Sequence, residues 1–333
     1  MTTKPLADLS YRHYAGPSTD RNYAWWTIAR NLLTMNLKKR ALWVLAAISG
    51  WWYLVLMVMI YVFEQIAAQS AGLIGSSHDR FSMFINQFVW RDQYVIAFGF
   101  QQIICIFLAM LTGAASVSND FRSNALLVYF AKPCSKAAYV FGKWLGVFLS
   151  LCVAFAVPHL FFYLYGSLSY GDYNFFTQDR TMVFRMLVMI VLMAAFYASL
   201  TIGVSSLTRQ GRVAGVVLAG IFFLSNFFTH TIGLAIVQRS FMDNKPLATT
   251  PASLLVPYYS SVDGAMITLS KNVMNYDGKK SIFGGPDNRR NDDGPMSNMP
   301  PAPIWLPITI LVGVTALGIG IAFKKVRAVE VVQ

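Results

Sequence analysis

Five polar side chains stand inside long apolar runs: Gln101, Gln102, His159, Asn226 and His230. Such a group is costly in hydrocarbon, so it faces a neighbouring helix or a water-filled path. Two chemistries are open to these residues. They either hydrogen-bond between helices, at roughly 1 kcal/mol each, or touch a solute on its way across. Enzymatic chemistry finds no set of residues. The four histidines, His13, His78, His159 and His230, fall in two loops and two apolar runs, so no Ser–His–Asp arrangement assembles. The three cysteines, Cys105, Cys134 and Cys152, show neither a CxxC nor the His/Cys spacing of a zinc site. None lies in a candidate outer loop, so no disulfide framework is implied. No metal site is expected. Met296 and Met299 form a thioether pair of the kind that suits Cu(I), but methionine occurs 15 times and is ordinary core filler.

The other chemistry-bearing residues concentrate in Ser118–Trp144, SNDFRSNALLVYFAKPCSKAAYVFGKW. Asp120 and Arg122 come near its start. Phe121, Ala125 and Val128 recur at helical spacing, with Leu126 and Tyr129 adjoining, which gives a short helix one apolar face. Lys132–Pro133 ends it, because the residue before a proline disfavours helical backbone. Ser135 is placed to cap the next helix, into which Lys136, Gly142 and Lys143 lead. The expectation is a short helix within Ser118–Lys136, lying across one end of a bundle and held by an apolar run on either side. It either rests on the membrane surface or passes a push from a partner into both runs.

These residues need elements to hold them. Of 333 residues, 56% are hydrophobic and 13% charged, against about a quarter charged in soluble chains. A spanning helix takes about 20 mostly apolar residues, and six segments qualify: Ala41–Phe63, Tyr94–Val117, Tyr139–Tyr165, Val183–Leu207, Val213–Val237 and Ile304–Phe323. The predicted fold is an all-α membrane protein of six transmembrane helices. The net charge of +12 gathers beside the spans, which removes the argument for nucleic acid. Arg30 and Lys38–Arg40 precede the first span. Arg122, Lys132, Lys136 and Lys143 lie between the second and third, Arg209 and Arg212 between the fourth and fifth, and Lys324, Lys325 and Arg327 follow the sixth. With alternating spans all these fall on one side, which places both termini in the cytoplasm.

The loop Gln238–Pro303 carries seven basic residues on the opposite side, but loops longer than about 60 residues cross largely regardless of charge. Its later part, GGPDNRRNDDGPMSNMPPAP, reads as irregular. Its earlier part, PASLLVPYYSSVDGAMITLS, reads as short helices at the outer interface. The polar N-terminus, through Asn22, lacks the apolar core and cleavage site of a signal peptide, so the first span is expected to direct insertion.

Before the first span, Trp25, Ile28, Leu32 and Met35 recur at helical spacing in NYAWWTIARNLLTMNLKKR, predicting an amphipathic helix in the interface plane. The expected organisation is therefore a tail and interfacial helix over 1–40, five spans over 41–237 with the short helix 118–136, an outer loop over 238–303, and the last span with its tail over 304–333.

This order of elements, together with Asp120, Ser123, Leu126, Pro133, Ser135, Lys136, Tyr139, Gly142 and Lys143, resembles the permease subunits of ABC-2-type transporters. The resemblance covers most of the chain. It departs from the family pattern at Asn124, where many members have glycine, and at Cys134, where a small or aliphatic residue is commoner.

The resemblance implies an interfacial elbow helix and a coupling helix on the cytoplasmic side. It implies a transport subunit rather than an enzyme, working with a dimer of a separate cytoplasmic ABC ATPase and with a second permease chain, identical or related. The chain itself contains no G-x-x-x-x-G-K-[ST], so it is expected to bind no cofactor of its own; ATP and Mg would be held by the ATPase. Asp120, Phe121, Arg122, Ser123, Leu126, Tyr129, Lys132, Pro133, Ser135 and Lys136 would face that ATPase. Gln101, Gln102, His159, Asn226 and His230 are the candidate residues of a substrate pathway. The expectation is export of an amphiphilic or hydrophobic substrate across a bacterial inner membrane, in contact with membrane lipid. An extracytoplasmic partner at loop 238–303 is the alternative destination of ATPase motion, and an ATP-independent channel or carrier is a third reading.

Overall fold

The computed structural model describes residues 23–69, 81, 84–85, 88–131, 134–243, 252–276 and 304–326. Among the described residues the chain is helical, with no strand. Helix α1 is Ala24–Leu37, α2 Arg40–Ser49 and α3 Trp51–Gln69. Then come α4, Trp90–Ala109, a π-helical turn at Met110–Ala114, and α5, Ala115–Arg122. Next are α6, Ala125–Ala131, α7, Lys136–Ser169, α8, Met182–Leu207, and α9, Gly211–Asp243. Helices α10, Ala252–Ser260, and α11, Val262–Val273, precede α12, Trp305–Lys325. Six of these helical stretches are long and apolar enough to cross a membrane: α3, α4 through α5, α7, α8, α9 and α12. They match the six predicted spans in order.

The first span is broken at Gly50, between α2 and α3. There it crosses the third span. A Cβ on Gly50 would stand 2.7 Å from the Cβ of Pro158, so only glycine allows the approach. Helix α1 forms where its periodicity placed it, and its inner face lies along the start of α7. Gly142 and Gly146 are the points of contact. A Cβ at Gly142 would lie 2.6 Å from the Trp25 carbonyl oxygen, and one at Gly146 2.9 Å from Leu32 Cβ. Ala29 and Asn36 are buried there, while Trp26 and Met35 stay exposed.

The π turn in the second span organises its surroundings. A wider turn leaves backbone groups without their usual helical partners, and side chains from other elements take them up. Lys39 Nζ donates to the Leu111 carbonyl at 2.7 Å and to Asn36 Oδ1 at 2.8 Å. The Asn36 amide donates to the Thr112 carbonyl and to Ser150 Oγ, both at 3.1 Å. From the fourth span, Ser205 Oγ donates to the Ala114 carbonyl at 2.8 Å and accepts from the Val117 and Ser118 N–H groups at 3.1 Å. The turn is thereby tied to α1, α7 and α8.

The two helices expected early in the outer loop form, and the second of them packs inward. Helices α10 and α11 make a hairpin whose turn is Ser261. Its hydroxyl caps α11 by accepting from Gly264 N–H at 3.1 Å. Thr229 Oγ1 donates to that same hydroxyl, and Val262 N–H donates to Ser225 Oγ at 2.8 Å. Ser225 and Thr229 lie near the middle of α9, so the hairpin tip sits about 20 Å below the Asp243 end of that helix at 1.5 Å per residue. Asp263, Ala265, Met266 and Leu269 are buried against the bundle.

Candidate functional site: the corner between the second and third spans

Ser118–Arg122 continue the second span rather than opening a separate helix, and the short helix α6 begins at Ala125. Between them Asn124 takes φ 54°. That left-handed conformation costs glycine nothing, and asparagine tolerates it better than most residues. This accounts for asparagine standing at a glycine position of the pattern. Lys132 and Pro133 lie outside the described residues. At the far side Ser135 caps α7 as expected, its hydroxyl accepting from Ala138 N–H at 3.1 Å.

The centre of the corner is an ion pair. Lys143 Nζ lies 2.7 Å from Asp120 Oδ2, and the two side chains are 9% and 16% exposed. The Tyr139 hydroxyl donates to the same oxygen at 2.6 Å, and Lys143 also donates to the Ser116 carbonyl at 2.9 Å. The ammonium stands 5.8 Å and 5.7 Å from the ring centres of Tyr129 and Tyr139, within cation–π range. Asp120 thus meets Tyr139 and Lys143, which stand one turn apart on α7. Tyr129 carries α6 into the same cluster. Burial raises the Tyr129 phenol above its ordinary range, and the Asp120 charge adds to that shift.

The remaining predicted residues of the corner divide by exposure. Leu126 is buried, while Phe121, Tyr129 and Lys136 are half-buried. Arg122, Ser123 and Ser135 are exposed, and so are Leu127 and Val128, the latter at 64%. The corner helix therefore keeps one apolar edge inward and presents another outward.

The residues proposed for a pathway do not converge. Gln101 donates to Ser49 Oγ at 3.2 Å, tying the second span to the first. His159 Nδ1 donates to the Phe155 carbonyl at 2.8 Å, one turn back in the Pro158 region. Its ring stacks on Phe98 at 4.4 Å and meets Tyr53 edge-on at 5.4 Å. It is part of an aromatic core among the first three spans. Gln102 is buried, with no hydrogen bond to its carbonyl oxygen among the described residues. His230 is exposed on α9, and Asn226 is half-buried beside the hairpin tip.

The family model described as ABC-2 family transporter protein matches residues 26–328. This chain belongs to that family. No curated protein matches the chain. The ABC-2 chain is accordingly a multi-pass membrane component of an ABC transporter. The match runs from the start of α1 to just past α12 and so takes in the corner and the hairpin alike.

Nothing in the sequence marks Asp263 as a residue of interest. In this ABC-2 chain the residue is 3% exposed at the hairpin tip, and neither carboxyl oxygen has a full hydrogen bond among the described residues. Burial pushes its pKa up to about 6, with the Asn226 side chain offsetting part of the shift. A carboxyl held above its unfolded value of about 3.9 binds its proton more tightly in the folded state. It therefore costs stability above pH 6, and that cost vanishes as the pH falls below about 4. Asp263→Asn is expected to raise the midpoint of thermal unfolding at pH 7.5. It should also flatten the gain in stability that the wild-type chain shows between pH 7 and pH 5. Identical pH profiles for the two proteins would refute this account.

Proposed function

We propose that this chain is the translocating half of an ATP-driven exporter, energised by a separate cytoplasmic ATPase that seats against the α6 corner. The corner geometry carries the reading. A short helix presents Leu127 and Val128 outward, while its Tyr129 packs on Tyr139 and Lys143, which with Asp120 join the ends of two spans. A displacement of α6 would then move the second and third spans together. Through the adjacent π turn it would reach the fourth span by Ser205 and α1 by Asn36 and Lys39. The basic residues at this end support a cytoplasmic placement, with both termini on that side of a bacterial inner membrane. Two such chains, identical or related, would enclose the route of an amphiphilic substrate. ATP and Mg would be bound by the ATPase, since this chain has no phosphate-cradling loop.

The test is purification of the tagged full-length chain from its host, with assay of the ATP hydrolysis it brings along. Wild type is expected to carry a Walker-motif ATPase in about equal amount. Val128→Glu, which places a charge on the outward apolar edge, should reduce that association about tenfold or more without lowering the thermal midpoint. A folded chain that arrives with no ATPase would sink the reading and favour a channel or carrier. Association with hydrolysis, but no efflux of any labelled amphiphile from reconstituted vesicles, would point instead to a component that passes motion to an extracytoplasmic partner.

A further inference from the structure

At the same end of the bundle is a cavity of about 620 Å³ between α5 and the start of α9. Its polar wall holds Arg122 and Asn119 from the second span and Gln210 and Arg212 from the fifth. Its apolar wall includes Met110 and Ala115. Both arginines are exposed, and neither forms an ion pair among the described residues. Lys143, at the same end, differs from them in being paired with Asp120. The cavity is therefore lined by two arginines that have no acidic partner among the described residues.

Its shape adds a second requirement. Met110 and Arg122 are separated by about 18 Å of helix at 1.5 Å per residue. The lining thus runs from the apolar middle of the second span to its charged end. A Cβ on Gly211 would be 2.7 Å from that of Ala115, so the second and fifth spans touch here and wall the cavity on one side. The start of α9 contributes a helix N-terminus, whose free N–H groups favour negative charge, and this reinforces what the arginines already do.

We infer that this cavity binds an anionic amphiphile: a phosphate headgroup held between Arg122 and Arg212, with its apolar chain lying along α5 toward Met110. Guanidinium groups suit phosphate because they donate two parallel hydrogen bonds. The apolar wall distinguishes such a ligand from free phosphate. The site goes beyond the transport reading and stands without an ATPase, because it needs only the folded chain.

The experiment is lipid binding to the purified full-length chain in neutral detergent, followed by native mass spectrometry with phosphatidic acid, phosphatidylcholine and inorganic phosphate as probes. Wild type is expected to retain phosphatidic acid in preference to phosphatidylcholine. Arg212→Gln should weaken that binding about tenfold, and the double variant Arg122→Gln/Arg212→Gln about a hundredfold. Arg212→Lys should recover part of the loss, since it restores the charge but not the paired donors. Arg209→Gln, which alters an arginine outside the lining, should leave binding unchanged. Three results would each overturn the proposal: a double variant that binds within twofold of wild type, an equal loss with Arg209→Gln, and full displacement of the lipid by millimolar inorganic phosphate. The last would leave an anion site with no role for the apolar wall.

Discussion

Lys143→Met is expected to destabilise the purified chain by about 3–5 kcal/mol, the usual cost of leaving one member of a buried ion pair without its partner. Methionine keeps the apolar stem against the rings of Tyr129 and Tyr139, so the loss falls on the charge and not on packing. Asp120 would then keep only the Tyr139 hydroxyl. Asp120→Asn should cost less, about 1–2 kcal/mol, because the amide oxygen still accepts from both partners. The double variant should be more stable than the sum of the single losses by at least about 1 kcal/mol, which marks direct coupling. Denaturant titration of the four proteins in one detergent reads all three quantities. Lys143→Met within about 0.5 kcal/mol of wild type, the range of an ordinary surface substitution, would show that the pair is solvated and carries no structural weight.

This outcome also separates two roles that the sequence ran together. Asp120 was grouped with residues facing an ATPase, yet its carboxylate is engaged from within the chain. Its substitution should alter where α6 sits, and stability should fall with it. Val128 has no such internal duty, so its substitution should alter association alone. A variant that loses partner binding at unchanged stability marks the docking edge, and one that loses both marks the support beneath it.

The six spans were legible because each is an unbroken apolar run, and the caps at Ser135 and Asn124 were legible or explicable from single residues. The ion pair was half visible: Asp120, Tyr139 and Lys143 were all singled out, and Tyr139 and Lys143 share a helix face at i, i+4, but nothing in the spacing brings Asp120 to them. That follows from the reversal at Ser123–Asn124, which folds the end of the second span against the start of the third. The π turn left no mark in the sequence, since MLTGA is ordinary apolar helix and the extra residue appears only where Ser205, Asn36 and Lys39 collect its backbone groups. The hairpin was visible as two short helices, but not its depth. Depth is set by Ser225 and Thr229 on a span distant in sequence, so Asp263 read as part of a short helix at the outer interface. Gln101 and His159 show the converse. Their polarity was noticed; Gln101 spends it on a bond to the first span, and His159 on a carbonyl one turn back in its own helix.

Gly318→Ala is expected to destabilise the chain, although alanine is the better helix former by about 1 kcal/mol. The fourth and sixth spans pack extensively on each other, and they cross where Gly203 meets Gly318. A Cβ at Gly203 would lie 2.7 Å from Gly318 Cα, and one at Gly318 would press on the Ser199 carbonyl. The obstruction is backbone on both sides, so no side chain can rotate away. Small residues are what let membrane helices approach this closely. Overpacking costs about 1–3 kcal/mol or more, which exceeds the gain in propensity, so the net effect is a loss. Two residues further along the same helix, a Cβ on Gly320 would meet open space. There the propensity term acts alone, and Gly320→Ala should be neutral or stabilising by up to about 1 kcal/mol. Gly318→Leu should go further and detach the last span, which is otherwise little buried, as read by protease cleavage near the C-terminus. The opposite signs at positions 318 and 320 are the decisive comparison. Equal effects of alanine at both would mean that the two spans do not cross where the geometry puts them.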